Sequence, residues 1–392
     1  MDTGSSQNRA SKRKPFNKAE VLRLGRGNLS VIDPPYVYAA GNESPTVSDK
    51  PQGSVKLFVF GDSYVDTGNW KKSSAPWKEP YGITFPGKPS GRFSDGRVLT
   101  DYIGSSSASL SLWIHITYEP SLSLSSSYLG NESPVPFTQW TPARNSSLKS
   151  GMNFAYGGTG VFDTGNNAPN MNSQINFFQQ MLEKTVLYTK QDLQPSIALV
   201  SSAGNDYPTY IEKTGNDQDL PAFTRTLIDQ LSKNLKRIHG FGVQKIMVTS
   251  LPPLGCLPTL SSLYSYQNCS EKWNAASMFH NQMLDQEVQR LNSESTGKRA
   301  FEVLNLYSAF TSVLNQTNHI AGNSSGLESP MKPCCLGVES KYFCGNIDSN
   351  GVKKYKVCNN TGSSIFWDMV HPSQNGWHSV YLALKTPLHM IY

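Results

Sequence analysis

The fold class this chain predicts is α/β: a three-layer α/β/α sandwich around a mainly parallel, five-stranded sheet. Three observations predict it. From residue 55 onward, apolar runs of strand length alternate with amphipathic helical stretches, as they do when parallel strands are joined by crossover helices. The first run, Val55-Lys56-Leu57-Phe58-Val59-Phe60, breaks off sharply at Gly61-Asp62-Ser63-Tyr64, placing polar residues just past a buried strand. Two later strand candidates are likewise followed by Gly-bearing turns, at 157–160 and 203–206.

The elements follow in order. Residues 1–54 are polar, aperiodic and punctuated by Pro and Gly, and read as a disordered tail. Strands are expected at 55–60, 151–156, 196–202, 244–250 and 300–306, where apolar residues run together within strand length. Helices are expected near 95–104, 173–189, 221–239, 270–292 and 373–385. In the last of these Ser373 is a candidate N-cap, and Trp377, Val380, Tyr381 and Leu384 recur at helical spacing. Pro372 disfavours helix at the residue before it, so His371 belongs to the preceding loop. Residues 105–127 form a Ser/Leu-biased tract whose composition departs from both flanks; they read as an insertion into a domain covering 55–392.

Chemistry concentrates in a few places. Ser63 sits in a turn at the carboxyl end of a strand, where open α/β sheets bind ligands. Some 300 residues later the chain reads Phe366-Trp367-Asp368-Met369-Val370-His371-Pro372. An acid three residues before a histidine can orient its ring. Ser63, Asp368 and His371 thus supply a nucleophile, an orienting acid and a base, as serine hydrolysis requires. Acyl transfer also needs donors aimed at the developing oxyanion. The turn Gly157-Gly158-Thr159-Gly160 lets a backbone N–H approach a ligand unobstructed, and Ala203-Gly204-Asn205-Asp206 presents an amide side chain after a strand.

Other motifs fail. Asp66-Thr67-Gly68 and Asp163-Thr164-Gly165 mimic paired aspartic-protease loops, but long helices follow them. Gly82 to Lys88 resembles a phosphate loop until Pro89 stands where Ser or Thr is needed. Gly322-Asn323-Ser324-Ser325-Gly326 has nucleophile-elbow spacing but no apolar strand before it. His239, His280 and His378 fall on helices and read as packing or surface residues.

Composition narrows the class. The net charge is +6, but residues 1–30 carry seven Lys/Arg against two acids, leaving the remainder near neutral. Such a body lacks the basic stripe of a nucleic-acid binder. Charged residues are 16%, below the roughly 25% usual for soluble proteins. Six cysteines (Cys256, Cys269, Cys334, Cys335, Cys344, Cys358) lack zinc-site spacing and predict three disulfides in an oxidising compartment, with Cys256–Cys269 a local pair and the other four linked among themselves. Eight Asn-x-Ser/Thr sequons agree: Asn28, Asn42, Asn131, Asn145, Asn268, Asn315, Asn323 and Asn359. Against this, the basic N-terminal stretch leads into Val21-Leu22-Arg23-Leu24-Gly25-Arg26, not the apolar run of a secretory signal. An erroneous first exon is the expected reason. No segment reaches the ~18 apolar residues of a membrane span.

Taken together these blocks resemble the plant GDSL-type esterases/lipases of the SGNH-hydrolase family. The resemblance rests on Phe60-Gly61-Asp62-Ser63 with Asp66-Thr67-Gly68-Asn69, Asn153 to Gly160, Gly204-Asn205-Asp206, and Asp368 to Pro372. It extends to Gly91-Arg92-Phe93-Ser94-Asp95-Gly96-Arg97 and to Pro252-Pro253-Leu254-Gly255-Cys256-Leu257-Pro258. About 55–385 is covered apart from 105–127, where the family's chain would pass from Ile103 almost directly to Tyr128, so a retained intron is the expected origin of the tract. The resemblance implies Ser63 as nucleophile, Asp368 and His371 as its partners, and Gly158 and Asn205 in the oxyanion hole. Tyr64 replaces the Leu of the eponymous motif, at a position whose side chain carries no chemistry. A secreted, monomeric esterase acting on a small-molecule or lipid ester, without cofactor or metal, is implied as well. The competing expectation is an inactive cell-wall structural or carbohydrate-binding protein on the same scaffold.

Overall fold

The computed structural model describes residues 55–104, 133–141, 148–185, 187–295, 299–322 and 329–389. The tail expected at 1–54, the tract at 105–127 and Ser324 lie outside them. Among these residues six strands build the central sheet: β1 (Leu57–Gly61), β2 (Val135–Pro136), β3 (Gly151–Asn153), β4 (Ile197–Ser201), β5 (Lys245–Thr249) and β6 (Phe301–Leu304). Their spatial order is β2-β3-β1-β4-β5-β6 and every pairing is parallel. Leu57 faces Gly151 on one side and Ile197 on the other. The chain leaves β1 toward β3 and later returns to β4, so the topological switch falls beside β1. Crevices that bind ligands open at such points, beyond the carboxyl ends of the strands.

The strands form because their residues are apolar almost throughout. All five residues of β1 and of β4 are buried, as parallel strands covered on both faces must be. Helix α1 (Met171–Lys184) precedes β4 and α2 (Asp206–Thr214) follows it; α3 (Leu220–Gly240) packs on α1 and on α4 (Glu271–Glu294), while α5 (Leu306–Gly322) pairs with α6 (Gln374–His389). The sheet and these helices make a three-layer α/β/α sandwich. Asn170 starts α1 by accepting from the Ser173 amide, and its buried stripe Met171, Gln174, Ile175, Phe178 and Met181 has helical spacing. Phe178 lies 4.9 Å from Phe58, fixing α1 over β1. Ser373 does cap α6: its hydroxyl accepts from the Gly376 amide.

Three expectations need adjustment. The sheet has six strands, since Val135–Pro136 adds a two-residue edge strand too short, and too proline-rich, to be read from sequence. The strand expected over 151–156 is regular only to Asn153: the Phe154 and Tyr156 amides still donate to the Val59 and Gly61 carbonyls of β1, but the Ala155 amide turns to the Asn153 side chain. The helix expected near 95–104 occupies 99–104 among the described residues. The cysteines pair as Cys256–Cys269, Cys334–Cys358 and Cys335–Cys344. Cys334–Cys358 brackets a small hairpin, β7 (Cys335–Gly337) with β8 (Tyr355–Val357), and Cys335–Cys344 ties β7 to the segment between the two strands.

Candidate active site

Local structure delivers Ser63 to the sheet's edge. Gly61 ends β1 at φ +138°, and a Cβ there would stand 1.8 Å from the Ser201 carbonyl oxygen, so only glycine lets β1 turn while still touching β4. Gln174 locks this turn by accepting from the Gly61 amide (2.8 Å) and donating to its carbonyl (2.9 Å). Asp62 then accepts from the Tyr64 amide, which tightens the turn and leaves Ser63 at its apex.

His371 arrives from the far end of the chain. Its carbonyl accepts from the Trp367 amide (2.7 Å), closing a tight loop over 367–371. Asp368 Oδ1 accepts from the amides of Val370 (2.9 Å) and His371 (2.8 Å). The carboxylate also faces the ring: His371 Nδ1 is 2.8 Å from Oδ1 and 2.9 Å from Oδ2. On the other side His371 Nε2 lies 2.8 Å from Ser63 Oγ. With the ring proton on Nδ1, the imidazole donates to Asp368 and accepts from the serine. Burial would raise the Asp368 carboxyl, but the neighbouring His371, the Val370 amide and the Tyr81 hydroxyl outweigh it and hold the group below its ordinary value. Aromatic rings flank the imidazole, Phe93 at 4.8 Å and Tyr64 at 6.1 Å, and the Tyr64 hydroxyl donates to the Val370 carbonyl.

Gly158 and Asn205 lie in loops held by buried polar side chains. Gly158 adopts φ +69°, the left-handed region glycine favours. Neither its amide nor that of Ser63 meets an acceptor among the described residues. The Asn205 amide donates one N–H to the Thr159 carbonyl (2.9 Å), which links the two loops and leaves its second proton without an acceptor among the described residues. Asp66 accepts from the Gly68, Asn69 and Gly157 amides, and Asp206 from those of Val161 and Phe162. Burial nevertheless lifts Asp66 and Asp206 to about 6, and Asp62 to about 7.

Ser63 and Asn205 open onto a cavity of ≈ 200 Å³ with mostly apolar walls, among them Tyr64, Leu254, Leu257, Leu260, Trp273 and Val370. The Cys256–Cys269 disulfide fastens the segment that carries Leu254 and Leu257.

Sequence reading missed the supports. Asn69 donates to the carbonyls of Asn153 and Ala155, and Asn153 to Val65, tying the first two motif loops together. Their polarity, in stretches without surface character, was the available signal. The decoys dissolve: Asp66 is a loop brace, and 82–89 forms turns rather than a helix. His280 is a buried partner of the Tyr207 hydroxyl (2.9 Å), kept neutral by burial that lowers it to about 3. No group of metal-binding side chains occurs among the described residues, and none of their helices is long and apolar enough to cross a membrane.

A family model described as GDSL-like Lipase/Acylhydrolase matches residues 57–384. GDSL esterase/lipase At5g03610 of Arabidopsis thaliana is 47% identical over 339 residues, covering 86% of this chain and 88% of that protein. GDSL esterase/lipase At3g09930, from the same plant, is 45% identical over 354 residues, covering 88% and 93%. GDSL esterase/lipase At5g03600 is 38% identical over 345 residues, covering 86% and 96%. The chain therefore belongs to the GDSL-like lipase/acylhydrolase family and is a hydrolase acting on ester bonds.

Proposed function

We propose that this protein cleaves carboxylic esters through a Ser63–His371–Asp368 triad and an acyl-enzyme. His371 Nε2 takes the Ser63 proton as Oγ bonds to the ester carbonyl carbon. The carbonyl oxygen, now negative, is received by the Ser63 and Gly158 amides and the second Asn205 N–H. Collapse of that intermediate breaks the ester C–O bond, and His371 returns the proton to the departing alcohol. Water, deprotonated by the same nitrogen, then attacks the acyl carbon and releases the acid and Ser63. Asp368 keeps the ring proton on Nδ1 and balances the imidazolium charge without itself being protonated.

One observation carries this reading: an unbroken hydrogen-bond chain from Ser63 Oγ through His371 to Asp368, with Ser63 open to a cavity. The mostly apolar walls suit an acyl chain, so the substrate is a small-molecule or lipid ester. Three disulfides, and exposed sequon residues Asn268, Asn315 and Asn359, favour an extracellular, secreted protein. An inactive scaffold protein would have no use for the aligned triad. The test is p-nitrophenyl ester hydrolysis: Ser63→Ala should lower kcat by about 10⁴–10⁶. Equal rates in wild type and variant would sink the proposal.

A further inference from the structure

The Asp368 carboxylate has a donor from outside its own loop. Tyr81, buried among residues far from it in sequence, donates its hydroxyl to Asp368 Oδ2 at 2.7 Å. A carboxylate accepts only, so the tyrosine must keep its proton. Burial first, and then the Asp368 charge, push the Tyr81 hydroxyl well above its ordinary value, so it donates throughout the working pH range. The two backbone amides act on Oδ1. Oδ2 therefore depends on Tyr81 and on a share of the His371 ring proton.

What holds Tyr81 is a second, small core. Cys334, Cys335, Cys344, Tyr355 and Trp367 pack with it. Trp367 meets the Tyr81 ring edge-on at 6.0 Å. A Cβ on Gly345, beside the Cys335–Cys344 disulfide, would lie 3.6 Å from the Tyr81 ring. The same hairpin grips the loop carrying Asp368, since the Cys334 and Cys335 amides donate to the carbonyls of Phe366 (3.0 Å) and Trp367 (2.7 Å). Both ends of the Tyr81–Asp368 bond are thus anchored to one disulfide-closed hairpin.

We propose that Tyr81 is a positioning residue for ester hydrolysis: it fixes the Asp368 carboxylate, and the hairpin cross-linked internally by Cys335–Cys344 holds it in register. This rests on the triad reading given above. Without the hydroxyl, Oδ2 is a buried acceptor one donor short. It can turn away from the ring, which slows turnover, and it attracts the His371 proton more strongly, which moves the acid limb of the pH profile upward.

The experiment compares wild type, Tyr81→Phe and Tyr355→Phe in p-nitrophenyl ester hydrolysis across pH, alongside fluorophosphonate labelling of wild type. Tyr355 belongs to the same small core, but its hydroxyl has no partner among the described residues, so Tyr355→Phe controls for packing. For Tyr81→Phe we expect kcat about 10-fold lower, below the full loss of a hydrogen bond to a charged group because the backbone amides persist. KM should stay within about twofold and the acid limb of kcat/KM should rise by about half a pH unit. Tyr355→Phe should match wild type. Pairing Cys335→Ala with Cys344→Ala should lower kcat about 3- to 10-fold in the wild-type background but less than about twofold in Tyr81→Phe, because both act through one contact. An unshifted profile with unchanged kcat in Tyr81→Phe, or an equal loss in Tyr355→Phe, overturns the role of Tyr81 alone. Equal losses from the cysteine pair in both backgrounds overturn the hairpin's part. Wild type that resists labelling at Ser63 overturns the triad reading and this proposal with it.

Discussion

If the cavity beside Ser63 receives the acyl chain, its volume sets a chain-length optimum that Leu257 should control. The cavity measures ≈ 200 Å³, and since a cavity of about 150 Å³ takes a benzene ring, it holds roughly six to eight carbons. Each methylene removed from water contributes about 0.8 kcal/mol, a gain of about fourfold in kcat/KM per carbon until the cavity is full. Leu257 lines the wall, and its backbone is placed by the turn that begins at Pro258 and by the Cys256–Cys269 disulfide. Leu257→Ala removes three carbons and opens roughly 90 Å³, so the optimum should lengthen by about two to three carbons. Leu257→Trp should shorten it by a similar amount. The assay is a series of p-nitrophenyl esters from acetate to palmitate, read as kcat/KM. The same optimum in all three proteins, or no rise with chain length below it, would refute the assignment of this cavity to the acyl group.

Two other predictions follow from the buried acids. Asp368→Asn should lower kcat by about 10³–10⁴, because an amide neither balances the imidazolium nor enforces the Nδ1 proton, and adding His371→Ala should cost little more; full additivity in that double variant would show that the pair does not act as a unit. Asp62, Asp66 and Asp206 are raised by burial from 3.8 to about 7, 6 and 6, so the folded state binds their protons more tightly than the unfolded one. Their contribution is fully present below about pH 4 and is lost as pH rises through about 6 to 7. Groups with lowered values, such as Asp192 at about 2 through its hydrogen bond from Lys56, act in the opposite sense only as pH falls below about 4. Asp62 faces the Tyr64 amide, His371, Asp206 and Asp66. Asp62→Asn should flatten the fall of Tm that calorimetry is expected to record between about pH 4 and pH 7; an unchanged slope would show that Asp62 does not contribute to it.

The fold class and the meeting of distant motifs were legible because they rest on local signals. Largely apolar runs of strand length marked four strands to within two residues at either end, and a Gly-Asp-Ser break after β1 marked the turn. Asp368 and His371 were legible together since three residues separate them and Pro372 keeps the histidine out of the helix. The missing parts depend on tertiary contact. β2 is two residues long and gains its identity only by pairing with β3. Tyr81 lies 287 residues from Asp368, in a stretch with no motif of its own. Tyr64 carries no chemistry by its place in the motif, yet its ring stands by His371 and its hydroxyl braces the loop that carries it. Such roles belong to a folded neighbourhood, and spacing along the chain does not encode them.

In the proposed mechanism Ser63 Oγ is the atom that attacks the ester. Treatment of purified protein with a fluorophosphonate, followed by peptide mass spectrometry, reads that atom directly. One adduct is expected, on the peptide containing Ser63, formed in step with loss of esterase activity and absent from Ser63→Ala. An adduct on another serine, or undiminished labelling of Ser63→Ala, would contradict it.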